Sequence, residues 1–110
     1  MKARIASLEQ LLAKGPETAL LRYSLGQAYL NVDAARAVEH LQAALTLDPS
    51  HVAAWKLLGQ ALAANGQTAL AQDAYREGIV TAEVAGQIQA AKEMRVFLKR
   101  LLRQADPGKA

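Results

Sequence analysis

A chain of 110 residues with 52% hydrophobic side chains and a net charge of +3 has room for one packed domain. It contains no cysteine, which excludes disulfides and thiolate metal sites. No stretch approaches the ~20 apolar residues of a membrane span. Met1-Lys2-Ala3-Arg4-Ile5 leads to Glu9 and Gln10 rather than to the apolar run of a secretory signal, so a cytoplasmic protein is expected.

The richness in Ala and Leu favours helix almost throughout, and turn signals cut the chain into six helical segments. The first spans 2–14, with an apolar stripe of Ile5, Leu8, Leu11 and Leu12, and ends at Gly15-Pro16. Proline suits the opening turn of the second, 17–31, because its missing N–H has no partner there. Asn31-Val32-Asp33 leads to the third, 34–47, with Asp33 as its N-cap. Asp48-Pro49-Ser50 is the next break, and Ser50 is the expected cap of the fourth helix, 51–65. In Asn65-Gly66-Gln67-Thr68, Gly66 suits a left-handed residue and Thr68 a cap for the fifth, 68–84. Gly86 is the weakest break, before a sixth helix over 87–104 and a disordered tail, 105–110.

The pattern repeats. Gly26 and Gly59, like Tyr29 and Leu62, are 33 residues apart, whereas Ala37 and Ala71, Leu41 and Tyr75, and Ala44 and Gly78 are 34 apart. The one-residue slip falls between 29 and 37, where no glycine stands in for Gly66, so Asn31 or Asp33 is expected to take any left-handed conformation. Gly26, Gly59, Ala37 and Ala71 mark the closest approach of paired helices. Tyr29, Leu41, Leu58, Leu62 and Tyr75 fill the space beside them, and Trp55 and Tyr75 are expected in the core. Each hairpin leaves an apolar face that a stacked neighbour must cover.

Trp55-Lys56-Leu57-Leu58-Gly59 with Leu62, Ala71, Tyr75 and Gly78, preceded by Leu25, Gly26, Tyr29, Ala37, Leu41, Ala44 and Pro49, resembles the tetratricopeptide repeat over residues 17–84. Two departures stand out: Arg22 replaces the expected Trp of the first repeat, and Glu83 the closing Pro of the second. Arg22 is expected to lay its stem on apolar neighbours while its head reaches water. The resemblance implies an all-α, right-handed superhelical stack of antiparallel helix pairs, of a small stand-alone bacterial type. Residues 17–49 and 51–84 are the two repeats, 2–14 the remnant of a preceding one, and 87–104 a capping helix.

It also implies a protein–protein interaction module, an adaptor that binds a peptide or helix of a partner in its concave groove. Carried over position by position, the groove residues are Leu20, Tyr23, Gln27, Leu30 and Asn31, then Ala53, Lys56, Gln60 and Ala63. Each equally suits an ordinary solvated helix face. One subgroup of the family grips chaperone C-termini with a Lys and an Asn where this chain has Tyr23 and Gln27, so that partner is rejected.

Residues 1–55 balance in charge, and the excess comes from the second half, with Lys92, Arg95, Lys99, Arg100 and Arg103 clustered on the sixth helix opposed only by Glu93. Ala91, Met94, Phe97, Leu98, Leu101 and Leu102 make its apolar face, with Lys92, Lys99 and Arg103 opposite. A solvated cap is the favoured reading, and docking to an anionic partner the alternative. Phe97, the one aromatic of this helix, falls on the apolar face rather than among Lys92, Lys99 and Arg103, which disfavours nucleic acid. Self-association into an assembly unit also remains open. His40, on the third helix, and His51, opening the fourth, have neither a nearby nucleophile nor ligand spacing. No enzyme, small-molecule substrate, cofactor or metal is expected.

Overall fold

In the computed structural model, which describes residues 2–105, six helices follow in chain order: α1 (Lys2–Lys14), α2 (Ala19–Tyr29), α3 (Ala34–Leu47), α4 (Val52–Ala64), α5 (Thr68–Val84) and α6 (Ile88–Ala105). Of the tail 105–110, Ala105 ends α6 and the rest lies outside the described residues. Each helix packs chiefly on the helices before and after it in sequence, and α4 also touches α2 and α6 lightly. The fold is therefore an all-α stack, extended over 49 × 29 × 19 Å.

The closeness of each pair comes from glycine. A Cβ on Gly26 would run into the Leu41 side chain, and one on Gly59 into the Tyr75 ring. Gly78, on α5, is hemmed in by Met94 and by the Trp55 Cβ, 2.8 Å from where its own would stand. Leu41 opposite Gly26, Met94 opposite Gly78, and Leu25 beside Gly26 on α2 are fully buried, as are Ala37 and Ala71. Tyr75 is buried too, and burial pushes its phenol up to about 12, so it stays neutral. Trp55 departs from the expectation. It is only half-buried, packing against the core while its indole N–H donates to the Pro49 carbonyl at 2.8 Å.

Several caps also differ from expectation, each because another hydrogen bond wins locally. α2 starts at Ala19, not within Pro16-Glu17, because the Thr18 hydroxyl accepts from the Leu21 N–H at 3.1 Å. Ser50 does not cap α4. Its hydroxyl and amide both donate to the Asp48 carboxylate (2.8 and 3.1 Å), and His51 caps instead, Nδ1 accepting from the Ala54 N–H at 3.1 Å. Thr68 is already helical, and the cap position falls to Gln67, which makes no side-chain cap bond. Asp33 caps α3 by accepting from the Arg36 N–H at 3.2 Å.

Gly66 (φ 76°) and Gly86 (φ 75°) are left-handed, and both turns close with the next amide reaching back: Gln67 to the Leu62 carbonyl at 2.9 Å, Gln87 to Ala82 at 2.8 Å. Between α2 and α3 neither Asn31 nor Asp33 is left-handed. The shorter turn is closed by the Tyr29 carbonyl, which accepts from the amides of both Val32 and Asp33 at 2.8 Å. That is how the one-residue slip is absorbed.

Gly59→Ala should cost about 1–3 kcal/mol by overpacking against Tyr75. Gly66→Ala, with open space around it, should cost only about 1 kcal/mol of backbone strain. Urea unfolding of the two variants checks the order. Truncations should be unequal, because α6 buries Ala91, Met94 and Leu101 whereas α1 buries no residue completely. Removing 87–110 should lower Tm by at least roughly 10 °C and removing 1–14 by roughly 5 °C or less, measured by thermal circular dichroism.

Candidate functional site

Tyr23 and Gln27 are one helical turn apart on α2, and Ala53 and Lys56 are similarly placed on α4. The structure brings these four together with Val52, Leu57, Gln87 and Ala90 around a cavity of about 270 Å³. Three alternate helices, α2, α4 and α6, thus meet across one hollow. Its walls are fixed by short contacts. The Tyr23 ring lies 4.8 Å from that of His51, which is itself held by capping α4. The Lys56 ammonium pairs with Glu93 of α6 at 3.4 Å. Arg4 of α1 donates to the Gln27 amide oxygen at 3.4 Å. The hollow therefore presents amides, a ring and apolar walls, with its one lysine already partnered.

The remaining sequence candidates lie elsewhere. Leu20 is exposed and lines a separate hollow between α1 and α2, beside Leu8, Leu11 and Pro16. Leu30 is half-buried at the end of α2, packed on the core, and Asn31 is exposed in the turn beyond it. Gln60 and Ala63 are half-buried on α4, outside the cavity lining. Gln87, Ala90 and His51 were missed. A 34-residue step from Ala53 and Lys56 lands on Gln87 and Ala90, a signal passed over because α6 was read as a cap or a basic docking helix and not as a wall of the groove.

On α6, Lys92, Arg95, Lys99, Arg100 and Arg103 are all exposed. Arg95 is paired with Glu83 of α5, and the Arg100 guanidinium lies 6.0 Å over the Phe97 ring. Lys92, Lys99 and Arg103 form no ion pair among the described residues.

A family profile described as tetratricopeptide repeat matches residues 33–93. A TPR repeat-containing protein of Pseudomonas aeruginosa is 51% identical over 98 residues, which span 88% of this chain and 93% of that protein. This chain belongs to the tetratricopeptide repeat family. Among solved structures, a solution structure of a Bordetella parapertussis protein matches with a TM-score of 0.82 and 41% identity, covering 94% of this chain and 91% of that one. A tetratricopeptide repeat domain protein from Salinibacter ruber matches with a TM-score of 0.71 and 28% identity, covering 80% and 90%. Membership makes the chain a protein–protein interaction module in class, on a fold that is typically non-catalytic. Among the described residues no helix is long and apolar enough to cross a membrane.

The first tetratricopeptide repeat carries a polar network where the second carries Trp55. Arg22 does not simply send its head to water. Its Nε donates to Glu17 at 2.6 Å, and Nη1 donates to Nδ1 of the buried His40 at 2.9 Å. With Nδ1 accepting, the ring proton sits on Nε2, which faces the Glu9 carboxylate of α1 at 3.4 Å. The Tyr29 hydroxyl donates to the same carboxylate oxygen at 3.1 Å, and the Tyr29 ring stacks on His40, centroids 5.5 Å apart. Burial holds His40 below its ordinary 6.5. Arg22 adds to that shift, while Glu9 and Glu39 oppose it.

A histidine that is harder to protonate folded than unfolded leaves stability intact above pH 6.5. Below that value the unfolded chain takes up the proton first, so stability falls with pH until the depressed folded value is reached. Between pH 7.5 and 5.5 the wild type should lose more stability than His40→Gln, compared by urea unfolding. Equal losses in both would rule out His40 as the cause.

Proposed function

We propose that the chain is a small adaptor, acting in the cytoplasm, that holds a peptide or helix segment of a partner protein in its concave face. The observation that carries this reading is the convergence of α2, α4 and α6 on one hollow walled by Tyr23, Gln27, Lys56 and Gln87. Glutamine side chains both donate and accept, so they can match the N–H and C=O groups of a bound main chain. Tyr23, resting on His51, offers a ring for one apolar or aromatic side chain. Glu93 already offsets the charge of Lys56, which favours a neutral polar segment over a terminal carboxylate.

A peptide selected from a displayed random library on the wild type is the probe. Tyr23→Ala and Gln87→Ala should each weaken it by about tenfold, as expected for loss of a central contact. Lys56→Ala should change affinity less. Undiminished binding by both the Tyr23 and Gln87 variants would move the site away from this face.

A further inference from the structure

We propose that the outer face of α6 docks an acidic amphipathic helix of a partner protein, lodged where the second helix of a third repeat would lie. α2 is covered by α1 and α3, and α4 by α3 and α5, whereas among the described residues α6 has α5 beside it and only a light contact with α4. The inward side of α6 is spent on that contact through Ala91, Met94 and Leu101. The side turned away holds Ile88, Lys92, Val96, Lys99, Leu102 and Arg103, all exposed. Ile88, Lys92, Val96, Lys99 and Arg103 follow at steps of four, four, three and four, which keeps them on one seam along the helix.

Two properties of that seam choose its occupant. Ile88 and Val96 are each 52% exposed and Leu102 43%, so three apolar side chains stand among the cations of the seam. A stripe of large residues at three–four spacing on a facing helix would cover them. The charges between them have one sign. Glu93, the only carboxylate on α6, is turned to Lys56, and Arg95 is held by Glu83, leaving Lys92, Lys99 and Arg103 without ion pairs among the described residues. An occupant with Glu or Asp flanking its apolar stripe satisfies all three. A second copy placed α6 against α6 would oppose like charges instead. This inference does not depend on the groove reading, since the seam and the concave hollow share no residue.

The test titrates the full-length, isotope-labelled protein with a synthetic amphipathic peptide of leucine, alanine and glutamate, followed by amide NMR at about 50 and 300 mM salt. Shifts should appear at Ile88, Val96, Lys99 and Leu102 while those of Tyr23 and Gln27 stay still. Lys99→Glu with Arg103→Glu should weaken binding by about tenfold or more at low salt, with an unchanged thermal melt. Equal binding of a peptide with glutamine for glutamate, or no shift on α6 at millimolar peptide, would overturn the proposal. So would a concentration-dependent mass of the protein alone that the double variant abolishes. Sedimentation with anionic phospholipid vesicles, in place of any response to the peptide, would also overturn it and make the face a lipid-docking one. Failure of the groove variants to lose their selected peptide leaves these shifts untouched, so the two readings fail separately.

Discussion

The contact between the bare α-carbon of Gly59 and the ring of Tyr75 sets the spacing on which the rest of the stack depends. With no Cβ in the way, α4 and α5 approach until the aromatic ring lies on main chain, and Gly26 with Leu41 does the same for α2 and α3. Gly78 repeats the device one layer on, where α5 meets Met94 of α6 and the base of Trp55. Each close pair leaves its flanks apolar, and the next pair covers them. The concave hollow is an outcome of this spacing. Tyr23, Lys56 and Ala90 belong to three different helices and meet only because the intervening helices are held at that distance.

Polar contacts then fix what packing leaves loose. Helix α1 buries no residue completely, but Ile5, Leu8 and Leu12 pack against the core, and Glu9, facing Tyr29 and His40, and Arg4 on the Gln27 amide add polar contacts to that seating. Because Gln27 also lines the hollow, α1 is tied to the candidate binding surface. In the second repeat the corresponding place is filled by Trp55, whose one polar atom is satisfied by Pro49. One repeat thus relies on an aromatic slab, the other on a chain of polar contacts running Glu17, Arg22, His40, Glu9, Tyr29. Charge-assisted bonds of this kind are directional, so they fix the orientation of the side chains that they join.

The repeat was legible because its signals are steric and periodic. Gly26, Gly59, Ala37 and Ala71 recur at fixed intervals, and the family resemblance they carry with Trp55 and Tyr75 agrees with the comparisons. Gly66 was equally plain, since few other residues take φ 76° without strain. The caps were less so. Ser50 is a good capping residue, but whether its hydroxyl turns forward to the helix or back to Asp48 is decided by turn geometry that no spacing reveals. His51 is an uncommon cap, recognisable only once Nδ1 is seen at the Ala54 amide. Arg22 was read alone, as a substitute for a missing ring. Its partners Glu17 and His40 come from two different parts of the chain, and pairing them needs the fold. The hollow was half legible: α2 and α4 carried over from the family pattern, whereas the α6 wall required seeing that helix as the opening of another layer.

Contacts in this molecule run almost entirely between helices adjacent in the chain. Such a topology makes length itself a variable that evolution can change cheaply. Duplicating the segment from α4 through α5 would create only interfaces of types already present, with the new hairpin seated on Gly78-like and Gly59-like contacts. The hollow would lengthen by one layer, and the ends would keep their own surfaces. A protein built this way can lengthen its concave surface by a single in-frame duplication, without any residue of its existing core having to change.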